Sequence, residues 1–321
     1  MKIRQVTIFG GSGFVGRAMV RALAQQGMTV RVACRRIELA ERVKTAGDVG
    51  QVTVMRTNLR MPESVAAAVV GSQAVINASG IAFQRGRQRY QEVHVGGARA
   101  IAEAARAAGV ERLIHISGIG ADRRTTTNPY IHSKVDAEDA IIAGFPTATI
   151  LRPSVVFGPG DVMFTRMAKI ASLAPVVPVV GDGRARVQPI FVGDVAEAAR
   201  VVLERPETAR SVFELGGPTI YTYREIAELT LREIDRRKRI VAVPAGLMKI
   251  AAFFAEFPAI FGITPQITRD QVDLLTHDNI VRPGANSLAT LGIVPTAAEV
   301  ILPTYLDRFR VGGRYNQHAP A

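Results

Sequence analysis

Short apolar runs punctuate this chain, and the stretches between them place apolar residues at helical spacing. The runs fall at residues 3–9, 29–34, 52–56, 74–77, 111–116, 148–152 and 212–215. They are dominated by valine, isoleucine and other apolar residues, as buried strands are. Helical patterns lie between them, near 14–26, 62–70, 91–108, 130–143 and 194–204. Strand and helix taking turns in this way imply right-handed crossovers, and hence an α/β fold whose doubly wound parallel sheet has about seven strands. A sheet of that kind carries its ligand at the carboxyl edge.

The rhythm fails after Pro159. Connections there are punctuated by Pro175, Pro178 and Pro189, one further helix and strand follow, and from Tyr223 the pattern is mainly helical. The chain is therefore expected to divide into a larger domain, residues 1–160 with 186–217, and a smaller, mainly helical C-terminal lobe, 161–185 with 218–321. No internal repeat or low-complexity tract is present.

The first strand-to-helix junction carries the strongest motif. Val6, Thr7, Ile8 and Phe9 run into Gly10, Gly11, Ser12, Gly13, Phe14, Val15 and Gly16, and an amphipathic helix opens at once. This is the layout of a dinucleotide-binding turn of Rossmann type. Gly10 permits the tight turn, Gly13 lets backbone approach a pyrophosphate, and Gly16 lets the helix lie close to its strand. Unpaired N–H groups at the helix start then face the phosphates. Glycines also close ordinary loops, but here the required strand and helix flank them.

Composition narrows the function without naming it. With 321 residues and 48% hydrophobic content the chain can bury a full core. Cys34 is the single cysteine, which excludes an internal disulfide and a cysteine-rich metal site, and its apolar neighbours place it in the core beside the cofactor. The net charge of +12 fits an anionic cofactor, an acidic partner or an anionic membrane surface. Neither a zinc finger nor a recognition helix accompanies that charge, so nucleic acid is not expected as a partner. The residues Met1 to Arg4 lead directly into the first strand, which leads us to expect a cytoplasmic protein without a leader. The segment 245–263 is the most apolar, but Lys249, Glu256 and Pro258 interrupt it, and it falls short of a clean span of about 20 residues.

Candidate chemistry follows the strand ends. Arg35 and Arg36 stand after the second strand, where an acidic residue would hold the ribose 2′-hydroxyl of NAD. Two guanidiniums there pair instead with a 2′-phosphate, which favours NADPH over NADH. The alternative is that they begin a solvated helix. Asn58 and Leu59 end the third strand, either as adenine contacts or as a turn. Asn77, Ala78, Ser79 and Gly80 end the fourth with small residues, either as backbone that a cofactor's ribose could approach or as a plain small-residue turn. Tyr130 and Lys134 lie four apart and so share a helix face. An ammonium beside a phenol favours the phenolate, which suits a general acid or base for hydride transfer. Ser117, after the fifth strand, offers a further hydroxyl.

Together the glycine turn, Asn77 to Gly80, the Tyr130 and Lys134 pair, Leu151 to Pro159 and Ile190 to Ala196 make the chain similar to extended or atypical short-chain dehydrogenase/reductases over residues 3–217. The later segments Ile267 to Leu275, His277 to Val281 and Tyr305 to Arg310 resemble the branch that contains the nucleotide-binding accessory subunit of respiratory complex I and its bacterial relatives. That resemblance implies a tightly held NADPH and a seat beside the quinone-reducing region, peripheral on the cytoplasmic face of the inner membrane. By it, Gly10, Ser12, Gly13, Phe14 and Gly16 would cradle the pyrophosphate, Arg35 and Arg36 the 2′-phosphate, and Asn58 and Leu59 the adenine. Tyr130 and Lys134 would reach the nicotinamide ribose, with Pro153, Ser154 and Val155 flanking the nicotinamide. One departure is visible. Ser117 precedes Tyr130 by only thirteen residues, closer than the catalytic serine or threonine of extended reductases, and Thr125, Thr126 and Thr127 are closer still.

The histidines His94, His115, His132, His277 and His318 show no metal-binding spacing and are expected in core or surface roles. Met248, Phe253, Phe254, Phe257 and Phe261 form an apolar cluster: either a buried helix, or a surface for membrane or a membrane subunit, aided by Arg308, Arg310 and Arg314. Two functions remain open. One is an accessory or assembly component of a complex I type NADH:quinone oxidoreductase. The other is a free-standing NADP-dependent reductase, epimerase or dehydratase that uses Tyr130 and Lys134 on a small molecule the sequence does not identify.

Overall fold

A computed structural model describes residues 3–256 and 267–313. Phe257, Phe261, Arg314 and His318, singled out above, lie outside the described residues. The chain forms two units: residues 1–153 with 192–215 and 282–294, and residues 154–191 with 216–281 and 295–321.

The first unit is built on a seven-stranded parallel sheet. Its strands are β1 (Gln5–Phe9), β2 (Thr29–Cys34), β3 (Val52–Arg56), β4 (Ala74–Asn77), β5 (Arg112–Ile116), β6 (Thr149–Pro153) and β11 (Val212–Leu215), in spatial order β11-β6-β5-β4-β1-β2-β3. Each expected strand is present to within two residues. The order reverses beside β1: β2 and β3 lie on one side, β4 to β6 and β11 on the other. That switch opens a crevice at the carboxyl ends of β1 and β4, where Phe9 pairs in register with Asn77.

The crossovers are α1 (Phe14–Gln25), the short α2 (Ile37–Ala40), α3 (Pro62–Val69), α4 (Gly97–Ala107), α5 (Pro129–Gly144) and α7 (Val192–Glu204). Alanines let α4 and α5 approach the sheet closely, so Ala98, Ile101, Ala102, Ala105, Ala137 and Ile141 form one core with Phe9, Val75 and Leu113. Asn128 starts α5: its side chain accepts the N–H groups of Tyr130 (3.0 Å) and Ile131 (3.3 Å), and Pro129 supplies the preset first helical position.

The second unit has its own core of Phe157, Phe164, Val177, Val179, Ile226, Leu229, Leu302 and Leu306. Here the sequence pattern was less complete. The unit contains α6 (Met163–Leu173) and three short ladders: β7 (Val156–Phe157) with β10 (Ile190–Phe191), β8 (Val176–Val180) with β13 (Arg239–Val243), and β9 (Arg186–Val187) with β12 (Tyr221–Thr222). Two-residue strands leave no period to detect, and Pro178 disguises β8, which pairs only with β13. Thr222 caps α8 (Tyr223–Glu233) through a reciprocal capping box with Glu225. The remaining helices are α9 (Ala245–Glu256), α10 (Arg269–Leu274), α11 (Ala298–Ile301) and α12 (Pro303–Leu306).

Candidate functional site

A cleft of about 250 Å³ lies at the carboxyl edge of the first unit's sheet. It is lined after β1 by Gly10, Ser12 and Gly13, after β2 and β3 by Cys34, Arg35, Asn58, Leu59 and Arg60, and after β4 by Ala78, Ser79, Gly80 and Ile81. A larger hollow, about 460 Å³, lies on the outer faces of α4 and α5 among Arg99, Glu103, Asp136 and Asp139. It contains no strand end and no glycine turn, whereas the smaller cleft has both.

The glycine end is shaped by the absence of side chains. Gly10 has φ +79°, and a Cβ there would sit 2.6 Å from the carbonyl oxygen of Ala78. A Cβ on Gly16 would strike the carbonyl oxygen of Gly10. Gly11 is packed against Val32, and Phe14 and Val15 form the first turn of α1, which no side chain caps. The N–H groups of that turn therefore remain for an anionic ligand.

After β2, Arg35 lines the cleft, and both it and Arg36 beside it are exposed. Burial, and then the charges of Arg36 and Arg60, hold the Arg35 guanidinium below its ordinary pKa. None of these three cations has a carboxylate partner among the described residues. Asn58 is partly committed: its Oδ1 accepts the N–H of Arg60 (3.2 Å), as a turn residue's would. Cys34 is buried, and burial, the largest cause, pushes its thiol up, so it stays protonated and unreactive.

Next to Gly80, outside the residues that line the cleft, lies a second group of side chains. A Cβ on Gly80 would lie 3.7 Å from Lys134 Nζ and 3.6 Å from His94 Nε2. Lys134 is buried, its ammonium 5.8 Å from the centre of the Tyr130 ring. Apart from that ring it has neither an ion-pair nor a hydrogen-bond partner among the described residues. Tyr130 is half-buried and packs edge-on against Tyr90 (5.7 Å) and His94 (5.8 Å). Ser117 sits just beyond β5, its hydroxyl buried and without a partner among the described residues. His132, by contrast, is exposed and pairs with Asp136 (3.1 Å), away from this group. An unpaired buried ammonium, a phenol and an orphan hydroxyl can together hold a polyhydroxylated ligand and pass a proton to it.

Pro153 ends β6, its carbonyl accepting the N–H of Ile119 (3.0 Å). Ser154 and Val155 belong to the second unit. There Ser154 Oγ lies 2.6 Å from Asn279 Oδ1, and the Val155 carbonyl accepts the Ile190 N–H.

The model of the NAD dependent epimerase/dehydratase family matches residues 6–216, more than half of the chain. The chain belongs to that family. Among its relatives is the 40 kDa subunit of the mitochondrial NADH-ubiquinone oxidoreductase of Neurospora crassa, 32% identical over 311 residues that cover 97% of this chain and 80% of that protein. A ceramide reductase of Caulobacter vibrioides is 33% identical over 267 residues, 80% of this chain and 81% of the enzyme. In fold the chain is similar to a triphenylmethane reductase of Citrobacter sp., with a TM-score of 0.75 at 18% identity over 94% of this chain and 99% of that one. The family match spans the cleft described above, from β1 through β11.

Three features of the site went unread in the sequence. Arg60 adds a third cation at the Arg35 end, signalled only by its position just past Asn58 and Leu59. His94 and His115 are buried beside Lys134, and both imidazoles are pushed down to about 3, by burial first and by the Lys134 charge next. Glu138, one turn beyond Lys134, is buried in a bidentate pair with Arg152 (2.6 and 2.9 Å), and Arg282 pairs with Glu214 (2.7 Å) and Asp122 (2.6 Å). For Arg152 the cost of burial, the largest influence, is more than offset by Glu138 together with the charges of Asp122 and Glu214, and its pKa stays above the ordinary value.

Proposed function

We propose that this protein binds NADP(H) in the cleft of its first unit and serves as an accessory or assembly component of a complex I type NADH:quinone oxidoreductase. The observation that carries this reading is the similarity to the Neurospora crassa 40 kDa subunit, which runs through 97% of the chain and therefore includes the second unit as well as the dinucleotide fold. The first unit is the cofactor domain in this reading. The second is the lobe that meets other subunits beside the quinone region, peripheral to the membrane. No helix among the described residues is long and apolar enough to cross a membrane.

The residues present fit the dinucleotide. The glycine cradle leaves room for the pyrophosphate, and the crowded Arg35, Arg36 and Arg60 would take the 2′-phosphate, whose charge relieves their mutual repulsion. Asn58 and Leu59 would border the adenine, and Ala78, Ser79 and Gly80 the riboses. Tyr130 and Lys134 would reach the nicotinamide ribose, while Ser117 and Pro153 would border the nicotinamide. When bound, NADP(H) supplies a hydride-transferring ring. A ligand that binds only the folded state also stabilises that state, which is the role a retained cofactor has in an assembly component.

A second reading, a free-standing NADP-dependent reductase acting on a small molecule, is favoured by the intact Tyr130 and Lys134 and by the similarity to a ceramide reductase. Gentle detergent extraction of native membranes followed by native electrophoresis separates the two. Co-migration with NADH:quinone oxidoreductase activity is the expected result. Absence from that band, together with NADPH oxidation by the purified protein on a carbonyl substrate, would establish the second reading instead.

A further inference from the structure

His94 occupies a place that a helix does not ordinarily provide. The residues before α4 form a single π-helical turn, Gln91–Gly96, and His94 is buried within it. The ring stacks on Tyr90 (5.3 Å, 25° between planes) and meets Tyr130 edge-on. Both nitrogens are in use. The backbone N–H of Ile81 donates to Nε2 (3.0 Å), so the ring proton is on Nδ1, which donates to Ser133 Oγ (2.8 Å). The Ser133 hydroxyl in turn donates to the carbonyl of Tyr130 (2.7 Å). The groups that face this ring are Tyr90 before the turn, Tyr130, Ser133 and Lys134 on α5, and His115 on β5. The Ile81 bond requires a neutral imidazole, one that accepts at Nε2 while it donates at Nδ1.

We propose that His94 is a positioning residue that ties the Gly80 and Ile81 wall of the cleft to the helix carrying Tyr130 and Lys134, so that wall and helix meet a ligand as one body. Ile81 belongs to the loop after β4 and Ser133 to α5, and the imidazole is the bridge between them. Both Gly80 and Ile81 line the cleft, and Lys134 Nζ and His94 Nε2 bound the same space beside Gly80. The inference rests on the reading of this cleft as the dinucleotide site only for its effect on affinity; the tie itself is independent of the ligand.

The test compares His94→Phe, which keeps an aromatic ring without nitrogens, with His94→Gln, whose amide can accept from Ile81 and donate to Ser133. Amide hydrogen exchange of the ligand-free full chain is the first measurement. Phe is expected to raise exchange at Ile81 and in the first turns of α5, and Gln to restore most of the protection. Fluorescence titration with NADPH is the second: about a tenfold loss for Phe, as for a buried hydrogen-bond pair left unmade, with Gln close to the parent. Should Phe fail to fold, nitrogen-15 NMR of the parent's histidines still decides, the expectation being one Nδ1-protonated tautomer that does not titrate between pH 5 and 8. Unchanged exchange at Ile81 in the Phe variant, no rescue by Gln, or an imidazole that titrates in that range would overturn the proposal. Failure of the parent to bind either NADPH or NADH would overturn the dinucleotide reading alone, because exchange and tautomer are read without ligand.

Discussion

Around Gly10 and Gly16 the cleft is shaped by side chains that are missing, whereas the group around Lys134, next to Gly80, consists of buried side chains that touch one another. At the glycine end the determinant is backbone clearance: Ala78 and Gly10 carbonyls stand where a Cβ would be. At the Lys134 end it is a set of polar groups held neutral, paired or stacked by their neighbours. The first kind of construction is sequential and local. The second draws on β4, β5, α5 and β6, which only the fold brings together. The two ends should therefore fail differently.

The largest effect is expected at the glycine end. Gly16→Val places a branched side chain against backbone that cannot yield, because α1 and the β1 turn are both packed in the core. Overpacking of this kind costs roughly 3 kcal/mol or more when backbone is the obstacle. Binding of either dinucleotide should vanish, and chemical denaturation should show a large drop in midpoint. A Val variant with parental stability and affinity would show that the turn is not a close-packed cradle.

Next comes Glu138, which anchors the helix of Tyr130 and Lys134 from behind. Removing one partner of a buried pair strands the other, at about 3–5 kcal/mol. Glu138→Ala leaves Arg152 with the more distant Glu214, 3.8 Å away, and the charge of Asp122. The expected outcome is a strongly lowered thermal midpoint with the glycine end intact in its structure. Loss well below 1 kcal/mol would mean that Arg152 finds other partners and that α5 does not depend on this anchor.

This contrast explains what could be read in advance. Seven strands and five crossover helices were legible because their periods are long and uninterrupted, and the glycine turn because its spacing is its function. Tyr130 and Lys134 were legible as a pair four apart. His94 was not, since nothing in a lone histidine within an alanine-rich helical pattern signals a π turn or the contacts its ring makes with Ile81 and Ser133. Nor were Glu138 and Arg152: each is unremarkable in sequence, and they become a pair only when α5 lies along β6. The segment 282–294, which returns to the first unit through Arg282 and Glu214, carries no period to announce it.

Acid should find the Lys134 end first. His94 and His115 are held neutral in the fold at about 3, against an ordinary 6.5. Between those values the unfolded chain binds protons that the folded chain refuses, so stability is full above pH 6.5 and falls as pH falls through the window. At pH 5 the loss is on the order of 2 kcal/mol for each imidazole. Denaturation midpoints measured from pH 7 to pH 4.5 should fall accordingly, and His94→Gln should flatten part of the slope. A midpoint independent of pH in this range would contradict the buried neutral pair.

The smallest effect belongs to the arginine end, where the comparison is sharpened. Arg35, Arg36 and Arg60 crowd one corner, with Arg60 contributed by the loop after β3. If they jointly receive a 2′-phosphate, Arg60→Ala should weaken NADPH about three- to tenfold while leaving NADH within twofold, because an exposed guanidinium contributes one charge-assisted contact among three. Arg35→Ala, in the cleft wall itself, should cost more. Equal loss for both dinucleotides would assign Arg60 to shaping the adenine corner with Asn58, whose Oδ1 already holds its backbone. The ratio of the two affinities, measured by titration at one ionic strength, separates a charge that selects the cofactor from a turn that merely accommodates it.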